Sequence, residues 1–172
     1  MWFVTFIDNH TCLCWVYLMT EKFKVAKLFK DFYKMVETQF QFKINIFHTD
    51  NGTESFNEHM GIFLKENGIH HQSTCMDTPQ QNGIIDRKNK HLLEVARVIM
   101  FYMNVSKYLW GETVLTASYL INMMPIRILK YITPLEFKKK KLPYVSNSLG
   151  FATKIIWLYH FCSYSQPLSV QT

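Results

Sequence analysis

Glycine and proline are scarce in this chain, at six and five among 172 residues. So few breakers leave little room for long irregular stretches, so long regular elements with short connections are expected. Cysteine is also sparse: there are four, and no Cys-x-x-Cys pair. That spacing excludes a disulfide framework, and a reducing compartment is the default. Cys12 and Cys14 stand two apart, as on one face of a strand, and a pair of small buried hydrophobes is the favoured reading over a metal site. No apolar run approaches the roughly 18 residues of a membrane span, so none is expected. The apolar start of the chain is interrupted by Asp8, Asn9 and His10 and has no basic leader, which is unlike a secretory signal. Acidic residues are in deficit, 13 against 19 Lys and Arg, for a net charge of +6. A basic balance suits a polyanionic partner such as nucleic acid.

What is abundant is apolar material. Hydrophobic residues make up 48% and aromatics 16%, with fourteen Phe, enough to build a real core in a single domain. Residues 2–7 are aromatic and β-branched and predict a strand. A turn follows at residues 8–10, and residues 13–19 predict its hairpin partner. Thr20 is placed to cap a helix over residues 21–38, whose Val25, Leu28, Phe29, Phe32 and Val36 recur at helical spacing. Residues 43–47 predict a strand, 55–67 a helix stopped by Gly68, and 69–72 a short strand. Residues 73–83 read as a polar loop, 84–103 as a long helix, and 107–124 as a helix capped by Ser106. Residues 151–164 are apolar enough for a strand, with no partner evident. Two strands, then helices alternating with strands, imply an α/β sheet with helices on its faces.

Two carboxylates stand out by placement. Asp50 ends a strand and begins a turn, and Asp86 lies near the start of the long helix. Oxygen ligands so disposed can hold hard divalent cations, and two such ions can clamp the attacking and leaving oxygens of a phosphodiester displacement. Each also has a plainer reading. Asp before Asn-Gly is a common turn residue, and Asp near a helix start is favoured by the macrodipole.

The motifs His48-Thr49-Asp50-Asn51-Gly52-x-Glu54 and Thr78-Pro79-Gln80-Gln81-Asn82-Gly83-x-x-Asp86-Arg87-Lys88-Asn89 together decide between these readings. With Leu93-Glu94-Val95-Ala96-Arg97, Lys107-Tyr108-Leu109-Trp110-Gly111-Glu112, Tyr119-Leu120-Ile121-Asn122 and Thr133-Pro134, they resemble the catalytic core of copia-type retrotransposon integrases. The resemblance runs over about residues 3–145. It implies a ribonuclease-H-like mixed sheet flanked by helices, and a D,D(35)E set of carboxylates that nicks and joins DNA with Mg²⁺ or Mn²⁺. Asp50 matches the second Asp and Asp86 takes the position of the Glu, with the family's 35-residue interval kept. Both are the implied catalytic residues and metal ligands.

The departures from the family are specific. Its first Asp lies on a central strand upstream of residue 2, so the fold is expected to lack that strand. The sheet must then close up, pair with something else, or leave open edges. Asp8 matches a different family position. Asp86 is one methylene shorter than Glu, and a misplacement of about 1 Å can cost about 100-fold. After about residue 146 the match fades. Residues 1–125 are therefore expected to form a partial core, and residues 126–172 a basic, diverged extension. DNA is the implied partner, with self-association possible by family precedent and the nucleus the implied location. The resemblance further implies DNA contacts after the acidic position, from Arg87, Asn89 and Lys90. The plainer alternative is a surface pair between Asp86 and Lys90, which would contribute little.

Overall fold

A computed structural model describes residues 2–40, 43–49, 58–73, 79–141 and 155–161. Strand β1 (Trp2–Asp8) turns back into β2 (Cys14–Met19) as an antiparallel hairpin, with Phe3 opposite Leu18 and Ile7 opposite Cys14. The turn is closed by the Asp8 carboxylate, which accepts from the Thr11 hydroxyl at 2.7 Å and the His10 N–H at 3.2 Å. Cys12 takes a left-handed conformation there (φ 58°). Asp8 thus serves the turn expected at residues 8–10.

A 3-10 turn (Lys22–Lys24) leads into α1 (Val25–Phe40). Strand β3 (Ile46–Thr49), helix α2 (Glu58–Glu66) and strand β4 (His70–Ser73) follow. Gly68, at φ 66°, ends α2 in the left-handed region where glycine has no penalty. Residues 55–57, expected in this helix, lie outside the described residues.

The long helix α3 (Pro79–Tyr102) begins earlier than its sequence suggests. Pro79 to Gly83 have loop composition, yet proline suits a first helical position because its missing N–H would be unpaired there anyway. Helix α4 (Trp110–Met123) follows a 3-10 turn, and Ser106 at its cap position makes no side-chain cap bond. A short helix that the pattern did not reveal, α5 (Pro134–Lys141), holds the lysine run. Its start is fixed by Thr133, whose hydroxyl accepts from the Glu136 N–H at 3.1 Å.

The sheet has the order β2-β1-β5-β3-β4, where β5 is Ile155–Phe161. Strand β5 runs antiparallel to β1, with Thr5 opposite Tyr159, and parallel to β3, with Thr49 opposite Leu158. β3 and β4 are parallel to each other. The middle of the sheet, between β1 and β3, is therefore taken by β5 of the same chain. Of the three outcomes open to the sheet, pairing with another segment is the one realised. The boundary expected at residue 125 accordingly does not separate two bodies, because the extension supplies the middle of the core sheet.

β1 is buried on both faces because helices pack against each side of the sheet. Val4 and Phe6 face α1 and α2 in a core with Phe29, Phe32, Phe47, Met60, Leu64 and Ile156. Phe6 stacks on Phe32 at 4.4 Å between centroids, and Phe29 lies 4.1 Å from Phe47. On the opposite face, Phe3 packs with Leu92 and Ala96 of α3 and Val114 and Ala117 of α4. The architecture is three-layered, helices on both sides of one mixed sheet, as the sequence predicts. The edge strand β2 is held by α4. The Asn122 side chain accepts from the Cys14 N–H at 3.0 Å and donates to the Cys14 carbonyl at 2.7 Å, so one amide answers both exposed groups of that residue. Among the described residues no helix is long and apolar enough to cross a membrane.

Candidate metal and nucleic-acid site

Parallel strands β3 and β4 end side by side at Thr49 and Ser73, and α3 begins only a few residues beyond β4. In open α/β sheets ligands bind outside the carboxyl ends of the parallel strands. β5, beside β3, is parallel to it and antiparallel to β1.

Asp50 directly follows the last residue of β3 and lies outside the described residues. Asp86 has a backbone place on α3, while its side chain lies outside the description. Because α3 starts at Pro79, Asp86 sits about two turns into the helix. The macrodipole acts only within the first turn, so it gives no plain reason for an acidic residue there.

The three DNA-contact candidates separate sharply. Arg87 and Lys90 are exposed on α3. Asn89 is not: it is 3% exposed, on the inward side of the helix one turn before buried Leu92. A side chain sealed against the sheet does not reach a phosphate backbone, so Asn89 is withdrawn as a DNA contact. Lys88, which the sequence did not single out, spans to the β1–β2 turn and donates from Nζ to the Cys12 carbonyl at 3.0 Å. It ties α3 to the hairpin.

Histidines near the site were also missed. His48 is buried on β3, and burial lowers its pKa, with smaller contributions from His71 and His70. His71 on β4 meets the Thr49 hydroxyl at 2.9 Å through Nε2, and its pKa is likewise lowered, by burial first and then by His70. Phe47, the residue before His48, points into the α1–α2 core, so alternation puts His48 on the α3 face and returns Thr49 to the Phe47 face. The Thr49–His71 contact therefore braces β3 against β4 from behind the site. Nothing in the spacing of His48 and His71 reveals it, because parallel pairing joins residues across an intervening helix.

No family model matches the chain. It is 36% identical over 124 residues to the retrovirus-related Pol polyprotein from transposon TNT 1-94 of Nicotiana tabacum, covering 72% of this chain and 9% of the relative. It is 30% identical over 135 residues to that of transposon RE1 of Arabidopsis thaliana, covering 78% and 9%. The chain thus spans about a tenth of the length of these curated relatives. Among solved structures it is similar to the catalytic core domain of BIV integrase (TM-score 0.60, 15% identity, 80% of this chain and 85% of that one). It is also similar to the HTLV-2 integrase catalytic core domain in complex with magnesium, in a trimeric form (TM-score 0.55, 13% identity, 76% and 79%).

Proposed function

We propose a function from one premise: the chain belongs to the copia-type retrotransposon integrases and carries the ribonuclease-H-like fold of their catalytic core. Its ancestral role is DNA integration by metal-dependent strand transfer, and its present role is non-catalytic binding of nucleic acid. The observation that carries this reading is the identity of the central strand. β5 lies between β1 and β3, where the family's first Asp belongs, and it reads Ile-Ile-Trp-Leu-Tyr-His-Phe. No carboxylate stands on it.

The remaining donors are Asp50 and Asp86. Two carboxylates suit one hard cation, Mg²⁺ or Mn²⁺, rather than the pair of ions that an in-line displacement uses. The donor set does not fit the two-metal chemistry of the family, so no strand-transfer step is assigned to this chain.

Binding to DNA rests on the net charge of +6 and on the solvent-facing Arg87, Lys90 and Arg97 of α3. Such contacts reach phosphates, and affinity falls with salt at a log–log slope near 0.9 per phosphate neutralised. The test joins two assays on the full chain. In fluorescence anisotropy, Arg87→Ala with Lys90→Ala is expected to weaken duplex binding and to flatten the salt slope by roughly 2. In a nicking assay with Mn²⁺, cleavage is expected at the background of Asp50→Asn. Metal-dependent nicking abolished by Asp50→Asn would establish catalysis and overturn the non-catalytic reading.

Self-association is a second element of the proposal, with nuclear location following from the DNA partner. Its support is a band of exposed apolar residues at the end of α3 and the turn into α4, where Tyr102 is 87% and Tyr108 95% exposed beside Phe101 and Met103. Exposed patches of this kind mark interaction sites. Tyr102→Lys with Phe101→Glu is expected to lower the mass measured by sedimentation; a monomeric native chain would remove this element.

A further inference from the structure

Two polar side chains are sealed inside the fold without partners. Thr5 is 0% exposed and its Oγ1 makes no hydrogen bond; Asn89 is 3% exposed and neither Oδ1 nor Nδ2 makes one. An unanswered buried polar atom is costly, and native interiors hold few of them. Three in one interlayer call for a reason.

The register brings them together. On β1, Phe3 packs against Leu92 and Ala96 of α3, and Thr5 lies two residues on, on the same face. On α3, Asn89 precedes Leu92 by one turn on the same side, and Lys88 reaches past the end of β1 to Cys12. α3 thus passes from the Cys12 end of the hairpin at residue 88 to Phe3 at residues 92–96. Asn89 falls between these two points along the helix, on the side that faces β1. The layer spacing beside them is set by larger groups, Phe3 against Leu92 and the Trp110 ring at 5.9 Å from Phe3. Thr facing Asn leaves more room than Phe facing Leu.

We propose that Thr5 and Asn89 form an internal binding site for one water molecule, between the sheet and α3. Three donor and acceptor atoms are within the two to four that a buried water uses. The guest is neutral rather than a cation, since Thr5 and Asn89 carry no charge to offset that of an ion, and no cluster of three or more His, Cys, Asp or Glu side chains exists among the described residues. The site assigns Asn89 a role in place of the DNA contact that its sequence position suggests.

Thr5→Val and Asn89→Leu test it, singly and together, in the full chain. With a bridging water, each single change orphans the other group, and the double change removes the need for the guest. The urea midpoint of the double variant is expected above the sum of the single effects. Water magnetic relaxation dispersion is expected to show a long-lived molecule in the native protein that is lost in the double variant. Additive midpoint shifts overturn the proposal. Coupling without a long-lived water also overturns it, in favour of a direct bond between the two side chains. Coupling that appears only with Mn²⁺ and vanishes with EDTA overturns it in favour of a cation.

Discussion

Proline at position 158 puts the central placement of β5 to the test. Leu158 lies opposite Phe6 of β1 and Thr49 of β3, so its N–H has a ladder partner whichever way it points. Proline removes that donor and leaves a buried carbonyl unanswered, a loss of about 1–3 kcal/mol. Its ring also fixes φ near −65°, against roughly −120° to −140° in strands. Together the two effects reach about 3 kcal/mol or more, a large part of the roughly 5–15 kcal/mol that holds a typical domain. With a urea slope of about 1–3 kcal/mol per molar, the unfolding midpoint of Leu158→Pro falls by roughly 1–3 M. Amide exchange supplies the second readout, since amides of Ile155–Phe161 in an inserted strand are protected to the level of global unfolding. An unchanged midpoint with fast exchange over those residues would refute the central strand, and with it the argument that an acid-free segment occupies the place of the first Asp.

Other perturbations have defined outcomes. Asn122→Ala removes both bonds to the Cys14 backbone and is expected to destabilise by about 2–3 kcal/mol in urea unfolding, with no effect on the slope. His48 and His71 both have lowered pKa values, so the unfolded chain binds protons more readily than the folded one. Their contribution is complete above the ordinary histidine pKa near 6.5 and is lost as pH falls below it; a urea midpoint that is unchanged or higher at pH 5 than at pH 7.5 in His48→Gln/His71→Gln, but lower in the native chain, is the expected pattern. The Cys14 thiol is pushed up to about 11 from 9.0 by burial, against smaller lowering by Ser118 and Lys88. Its thiolate population at pH 8 is then roughly 100-fold below that of a free thiol, and iodoacetamide labelling of Cys14, read by mass spectrometry, is expected only with unfolding.

Much of the fold is legible in the sequence because burial and periodicity agree. Phe3, Phe6, Phe29, Phe32, Leu92 and Ala96 all belong to the cores that their spacing implies. The misses have local causes. Pro79 and Gly83 carry loop composition but lie in a helix, where packing of the whole α3 face outweighs the cost of one glycine. β5 was visible as an apolar run, yet its partners are at the opposite end of the chain, and no local pattern encodes pairing over that distance. At the site, motif spacing singles out Asp50 and Asp86, but Asp50 and the side chain of Asp86 lie outside the described residues; Arg87 and Lys90 are exposed on α3. Asn89 failed because residues three and four apart on a helix share a face only approximately. Lys90 lands in solvent while Asn89 turns under the helix.

The sheet order has a consequence for how the protein is made. β1 leaves the ribosome before β5, which follows roughly 8–30 s later at about 5–20 residues per second. Until then the inner edges of β1 and β3 lack β5 as a ladder partner, and the nascent chain presents two largely apolar strand edges. Closing the sheet joins β5 to strands more than a hundred residues away in sequence, a high-contact-order step that folds slowly. Translation speed and holdase chaperones should therefore govern the soluble yield of this protein more than the strength of its finished core.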